Sequence, residues 1–316
     1  IIWFSNDETP GQLTYRAQDT DSEASIASVP VRADALAYLV SEDTTYFGGQ
    51  APPPPFRHRI RLDHLKAATT YAYRVDQGPS HFSATFNTAP IADEPIRFIA
   101  YADCETEPES TGKFTEWIHP LRPPDRLAKT YLLDQTTGYA QNLAAISDRH
   151  PNFIAIAGDL VESGGEQRDW DEFWLHNTKV DGKQSVASQV PIFAAPGNHE
   201  YYEGPRRGYN QPDSERAITR FRTYFETPDN QAEDPRQKGR YYRIDYGPVT
   251  LIALDVANNS PHQSQRDTNF MLLGEKDPAG GRAPAFGPGS RQYTWLEEQL
   301  ADAQRKSKFT FVFIYN

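Results

Sequence analysis

At 316 residues the chain is long enough for two domains, on a scale of about 100–200 residues each, and its 38% hydrophobic and 24% charged content is that of an ordinary globular protein. A net charge of −11 argues against binding nucleic acid or anionic lipid through clustered Lys and Arg. No stretch of about 18 apolar residues is present to span a membrane, and Cys104, the only cysteine, leaves no intrachain disulfide.

In chain order, residues 1–90 read as all-β. Short apolar or alternating runs lie around Trp3, Leu13 and Tyr15, at 37–40, 59–65, 70–75 and 82–87, separated by turn-forming residues. Strict alternation in 70–75 and 83–87 marks half-buried strands. Pro52–Pro55 predicts a polyproline loop, and this spacing of strands predicts a β-sandwich. The opening Ile1-Ile2-Trp3-Phe4 lacks the flanks of a signal peptide.

The stretch 88–95 is the expected boundary, with two prolines, two acidic residues and no periodicity. Beyond it, continuous apolar runs at 96–102, 153–157, 190–195, 249–254 and 309–315 predict strands covered on both faces. Between them, helical spacing predicts helices over 139–150, 167–176, 215–225 and 293–305. Residues 258–290 are polar and rich in Gly and Pro, which fits a functional rim or a disordered insertion.

The apolar runs share one habit. Each ends in a polar side chain: Asp103, Asp159, Asn198, Asp255 and Asn316. Any one of these is adequately explained as a turn or helix cap. Their recurrence at the carboxyl ends of strands is not, because ligands of open α/β sheets bind there. Two segments are sharper. Gly158-Asp159 and Gly197-Asn198-His199-Glu200 place a glycine, which allows a sharp turn and close approach, just before the polar group. Carboxylate, amide oxygen and imidazole suit Zn, Mn or Fe.

On Ala102-Asp103, Gly158-Asp159-Leu160-Val161, Gly197-Asn198-His199-Glu200, 241–247 and 292–297, with Ile2-Trp3 and 61–75 in the β region, the chain resembles the calcineurin-like metallophosphoesterases. It is most similar to their purple-acid-phosphatase-like branch, which carries an N-terminal fibronectin-III-like domain. The resemblance implies an α+β chain of two domains: a β-sandwich over 1–90 and a four-layer α/β/β/α catalytic domain over 91–316. It also implies that the chain begins at the second strand of the sandwich and stops short of further metal-binding histidines after Asn316. Two divalent or trivalent ions (Fe, Mn or Zn) are implied, bridged by Asp159, with Asp103 on the first and Asn198 on the second. His199 would contact the phosphate or protonate the leaving group, oriented by Glu200. A secreted or periplasmic location is implied as well.

The chain departs from the family at two ligand positions within it. Many members carry Asp-x-His at the first strand, whereas Asp103-Cys104-Glu105 has glutamate there. The tyrosine three residues after the second Asp, whose bond to ferric iron colours the purple enzymes, is here Glu162. No purple charge-transfer band is therefore expected. Glu105, in the loop beside Asp103, is favoured over Glu162 to complete the first metal site; either could instead be solvated or paired with Arg.

Other candidates are weaker. Acidic neighbours disfavour a Cys104 thiolate, leaving a plain buried side chain. Trp170, Phe173 and Trp174 sit at helical spacing and read as core. Tyr201, Tyr202, Arg206 and Arg207 follow the metal motif and either line a substrate pocket or form a solvated loop. His58, His64, His81, His119, His150, His176 and His262 lack ligand context. The leading expectation is hydrolysis of a small-molecule phosphate ester by metal-bound hydroxide. The alternatives are a degenerate pseudo-phosphatase that binds partners through its β-sandwich, and an esterase of another oxyanion such as sulfate.

Overall fold

Alternation builds the first sheets. In a computed structural model, which describes residues 1–91, 94–110, 115–117, 131–133, 135–178, 185–202, 204, 214–256 and 287–315, seven strands precede residue 90. They are β1 (Ile2–Ser5), β2 (Gln12–Ala17), β3 (Ala24–Ala27), β4 (Val31–Arg32), β5 (Phe56–Arg59), β6 (Thr70–Gln77) and β7 (Ser80–Asn87). They pair antiparallel in two sheets, ordered β1-β5-β4 and β3-β2-β6-β7. The period of two in β6 buries Tyr71, Tyr73 and Val75 on one face. There Leu13, Ile60, Tyr73 and Val75 form a core with Trp3, Tyr15, Ile26, Phe82 and Phe86, drawn from both sheets.

The strand expected at 37–40 is absent, and α1 (Val40–Glu42) begins there. The cause is Glu42. Its buried carboxylate accepts from the main-chain N–H of Leu39 at 2.6 Å and of Arg168 at 2.8 Å, capping two helix starts at once. The run expected at 59–65 pairs earlier, as β5, and β3 and β4 carried no readable alternation.

Past the boundary come β8 (Phe98–Tyr101), β9 (Thr115–Trp117), β10 (Tyr131–Leu133), α2 (Gln135–Asp148), β11 (Phe153–Ile156), α3 (Gln167–Asn177), α4 (Val186–Gln189) and β12 (Ile192–Ala194). Then follow α5 (Ser214–Tyr224), β13 (Tyr242–Tyr246), β14 (Val249–Ala253), α6 (Arg291–Lys306) and β15 (Phe309–Phe313). β12, β11 and β8 form a parallel sheet with β11 central and wholly buried. β13, β14 and β15 form a second sheet, in which β14 and β15 run parallel.

Alternate residues of these strands face opposite layers. Ile154 and Ile156 join Leu143, Ile146, Trp170 and Phe173 of the helices, whereas Phe153 meets Tyr246, Val249 and Leu251 of the second sheet. On that sheet's far side Ile252 packs with Trp295 of α6. The two sheets thus share a core between their inner faces, but the edge strand β15 is exposed at Phe309, Phe311 and Val312, so the run at 309–315, expected to be covered on both faces, is not. Trp170 and Phe173 are fully buried, as expected of core.

Candidate metal centre

The carboxyl ends of β8, β11 and β12 run side by side, and the loops after β8 and β11 are zipped together. The N–H groups of Asp103, Cys104, Glu105 and Thr106 donate to the carbonyls of Gly158, Asp159, Asp159 and Leu160 at 2.8–3.2 Å. Three acidic residues of these loops take left-handed backbone: φ is 57° at Asp103, 40° at Glu105 and 53° at Asp159. Such geometry is uncommon outside glycine and collects at functional sites.

Gly158 and Gly197 are required by close packing. A Cβ on Gly158, itself at φ 117°, would lie 2.6 Å from Cβ of Tyr315 and 2.8 Å from Cα of Gly197. A Cβ on Gly197 would lie 2.6 Å from the Asp159 nitrogen. The glycines let the chain after β15 lie against both loops, so that the Tyr315 hydroxyl donates to Asp103 Oδ1. Tyr315 has no signal in the sequence, because its contact depends on how the second sheet docks against the first.

Asp159 is 2% exposed. His199 donates its main-chain N–H to Asp159 Oδ1 at 3.1 Å, and its imidazole Nε2 is 3.7 Å from Oδ2. The same Nε2 is 3.9 Å from Glu105 Oε1, and one ligand atom each from Glu105, Asp159 and His199 fall within 4.8 Å of one another. Nδ1 is 2.7 Å from the main-chain oxygen of Glu162. A carbonyl only accepts, so Nδ1 carries the hydrogen there and Nε2 presents either a lone pair or, in the imidazolium, a proton. The Glu162 carboxylate is 3.6 Å from Nδ1, on the side of the ring away from Glu105.

Glu200 was expected to orient this imidazole. Its carboxylate instead is fully buried and accepts from the main-chain N–H groups of Asp159 (3.0 Å), Leu160 (2.8 Å) and Gly197 (2.6 Å). The tight turns at the two glycines leave these donors without partners in either strand, and Glu200 is the side chain that reaches them. It thus ties two of the three loops together.

Burial pushes the Asp159 carboxyl up to about 7, with the charges of Glu105 and Asp103 adding to the rise. Burial likewise pushes Glu200 up to about 8, with the Asp159 charge adding. A cation among these oxygens would relieve that repulsion. The Asn198 amide sits against the same carboxylate: one end is 3.1 Å from both Oδ atoms of Asp159 and the other 2.5 Å from the Tyr202 hydroxyl, and hydrogen bonding alone puts the nitrogen on Asp159 and the oxygen on Tyr202. Turned the other way, the amide oxygen would join the Asp159 carboxylate and Glu105 in a ligand set suited to a hard or borderline cation. The residues present therefore fit a metal.

Metallophosphoesterases are the family that this arrangement suggests, and the comparisons with known proteins agree. Residues 118–314 match the family described as Calcineurin-like phosphoesterase. The chain belongs to that family. Two uncharacterized proteins of Mycobacterium tuberculosis, from strains CDC 1551 / Oshkosh and ATCC 25618 / H37Rv, are each 26% identical to this calcineurin-like chain over 280 residues, 87% of it and 45% of theirs. A protein of Arabidopsis thaliana named "Probable inactive purple acid phosphatase 9" is 23% identical over 189 residues, 55% of this chain and 24% of its own. The chain thus spans less than half the length of these relatives. Its fold is similar to that of a purple acid phosphatase from yellow lupin (Lupinus luteus) seeds, with a TM-score of 0.60 at 14% identity, covering 98% of this chain and 47% of that one.

Asp103, Glu105, Asp159, Asn198, His199 and Glu200 all lie in this one region. Asp255, at the end of β14, accepts from the buried Tyr201 hydroxyl and is held at its main chain by Gln292. Tyr201 and Tyr202 are fully buried, so they stand behind the metal motif rather than lining an open pocket. Asn316, Arg206, Arg207, His119, His262 and residues 257–286 lie outside the described residues. Cys104 is buried, which pushes its thiol well above its ordinary value and away from the reactive thiolate. His58 and His176 have partners elsewhere: His58 the hydroxyls of Ser5 and Ser28, His176 the Glu172 carboxylate.

Proposed function

We propose that the chain hydrolyses phosphate esters with a dinuclear metal centre held between the loops after β8, β11 and β12. The observation that carries this is the convergence of Asp103, Glu105, Asp159, Asn198 and His199 around one buried carboxylate, on a chain of the calcineurin-like family. Asp159 would be shared by the two ions, Asp103 and Glu105 would hold the first, and Asn198 would hold the second. Glu105 is preferred over Glu162 because its carboxylate shares the Nε2 face of His199 with Asp159, whereas that of Glu162 lies on the Nδ1 face.

Bound there, the metal ions would supply charge neutralisation at phosphorus and a nucleophile at neutral pH. The protein's own part is to hold the ester in place and move a proton. His199, with Nδ1 committed to the Glu162 carbonyl, turns Nε2 toward the cluster and gives its proton to the departing alcohol. Glu200 keeps the loops of Asp159 and Asn198 at fixed distance.

The proposal includes a division into a fibronectin-III-like β-sandwich over 1–90 and a catalytic domain over 91–316. The two antiparallel sheets sharing the Leu13–Tyr73 core support it. A secreted or periplasmic location is proposed from the family resemblance alone. No described helix is long and apolar enough to cross a membrane. The test is turnover of nitrophenyl phosphate and of its bis-ester by protein loaded with Mn, Zn or Fe. Release of nitrophenol is expected, and none with any of these metals at any pH overturns the proposal.

A second reading is a degenerate pseudo-phosphatase that binds partners through the β-sandwich. The glutamate at 105 and the printed name of the Arabidopsis relative favour it. It predicts a folded protein without a dinuclear centre.

A further inference from the structure

Asn198 is a neutral candidate ligand whose amide has two ends of nearly equal shape and opposite hydrogen-bonding character. One end lies 3.1 Å from both Oδ atoms of Asp159 and the other 2.5 Å from the Tyr202 hydroxyl. With nitrogen toward Asp159, the amide donates to the carboxylate and offers no oxygen to a cation. With oxygen toward Asp159, the amide is a metal ligand. A phenol serves either orientation, because it accepts from Nδ2 in the second and donates to Oδ1 in the first.

Tyr202 is fixed well enough to play this part. It is fully buried, its N–H donates to the His199 carbonyl at 3.1 Å, and its carbonyl accepts from Gly165 at 2.6 Å. Its ring lies 4.3 Å from the His199 imidazole at 34°.

We propose that Tyr202 is a positioning residue of the metal centre, whose hydroxyl holds the Asn198 amide in register while a cation turns the amide oxygen toward Asp159. This rests on the dinuclear reading above. Tyr202→Phe keeps the ring against His199 but removes the hydroxyl that accepts from Nδ2 when the oxygen faces inward. The amide then settles with its nitrogen on Asp159, and the ion on the Asn198 side is lost first.

The experiment is Zn and Mn titration with metal counting on the wild type, Tyr202→Phe, Asn198→Asp and the double variant. Aspartate at 198 has two equivalent oxygens and no amide to orient. Tyr202→Phe is therefore expected to weaken the more labile ion about 10–100-fold in the wild-type background, and less than about 2-fold in the Asn198→Asp background. Equal weakening in both backgrounds would mean a packing role and overturn the proposal, as would no weakening in either. A wild type that binds no metal overturns the dinuclear reading as well. If Tyr202→Phe does not fold, the Asn198 side-chain NH2 resonances of the wild type, assigned by their loss in Asn198→Asp, still decide. They should move when Zn is added, and resonances that stay in place would contradict the proposal.

Discussion

The carboxylate of Glu200 meets three main-chain N–H groups, from Asp159, Leu160 and Gly197, in a fully buried place. Glu200→Ala leaves all three without an acceptor. At about 1–3 kcal/mol per buried orphan, urea denaturation should show a loss of at least about 3 kcal/mol. A variant that loses activity at unchanged stability would instead return Glu200 to the role of orienting His199. Gly197→Ala forces a methyl group to 2.6 Å from the Asp159 nitrogen and 2.9 Å from the Tyr315 ring. Its expected result is loss of bound metal in a protein that still folds. Tyr315 donates to Asp103, so the iron-loaded protein should still lack the purple band, as Glu162 in place of the family tyrosine implies. A visible band that disappears in Tyr315→Phe would contradict this and make Tyr315 a ligand. Asp103, Asp159, Asn198 and His199 were legible in the sequence, because polar residues closing apolar runs, two of them after glycine, mark strand ends. The left-handed backbone of the three acidic residues, the task of Glu200 and the arrival of Tyr315 were not, since each depends on contacts between loops of different elements.

At the scale of elements, Glu42 is the instructive failure. The apolar run at 37–40 reads as a strand, yet the carboxylate two residues later caps Leu39 and also the first turn of α3 through Arg168. A side chain that also caps a helix start 126 residues further along the chain leaves no periodic trace. Glu42→Ala removes both acceptors and should cost about 1–3 kcal/mol, read from the urea midpoint; no change would show that main-chain geometry alone sets this turn. Helices fared better. The spacing at 167–176 and at 293–305 matches α3 (Gln167–Asn177) and α6 (Arg291–Lys306) closely, because one apolar stripe against a sheet is a local signal. The central strands were legible for a related reason: β11 is buried on both faces, and its sequence is apolar throughout.

For the whole molecule, the boundary near residue 90 divides sequence grammar more sharply than it divides packing. Ala33 and Leu36 belong to the same core as Trp170, Phe173 and Phe221. Buried Arg220 on α5 donates to the carbonyls of Ala35, Ala37 and Gly165, and the Tyr73 hydroxyl donates to Ser188 at 2.8 Å. The two regions should therefore unfold in one transition, with tryptophan fluorescence and circular dichroism coinciding. The stability of that transition should depend on His58, which is buried between Ser5 and Ser28 and stacked 4.9 Å from Trp3. Burial holds its pKa below the usual value, against a smaller opposing pull from Asp7. The unfolded chain binds the proton more readily, taking it up near about 6.5, so stability is full above that pH and falls below it. His58→Gln should shrink the difference in urea midpoint between pH 7.5 and pH 5.5; an unchanged difference would assign the acid sensitivity elsewhere.

The carboxylate-rich centre around Asp159 is tested most directly by counting metal on the wild type and Asp159→Asn after loading with Mn, Zn or Fe and removing free ions. Two ions per chain in the wild type, and fewer than one in the variant, are the predicted result. A wild type that retains no metal, or a variant that retains as much, would contradict it.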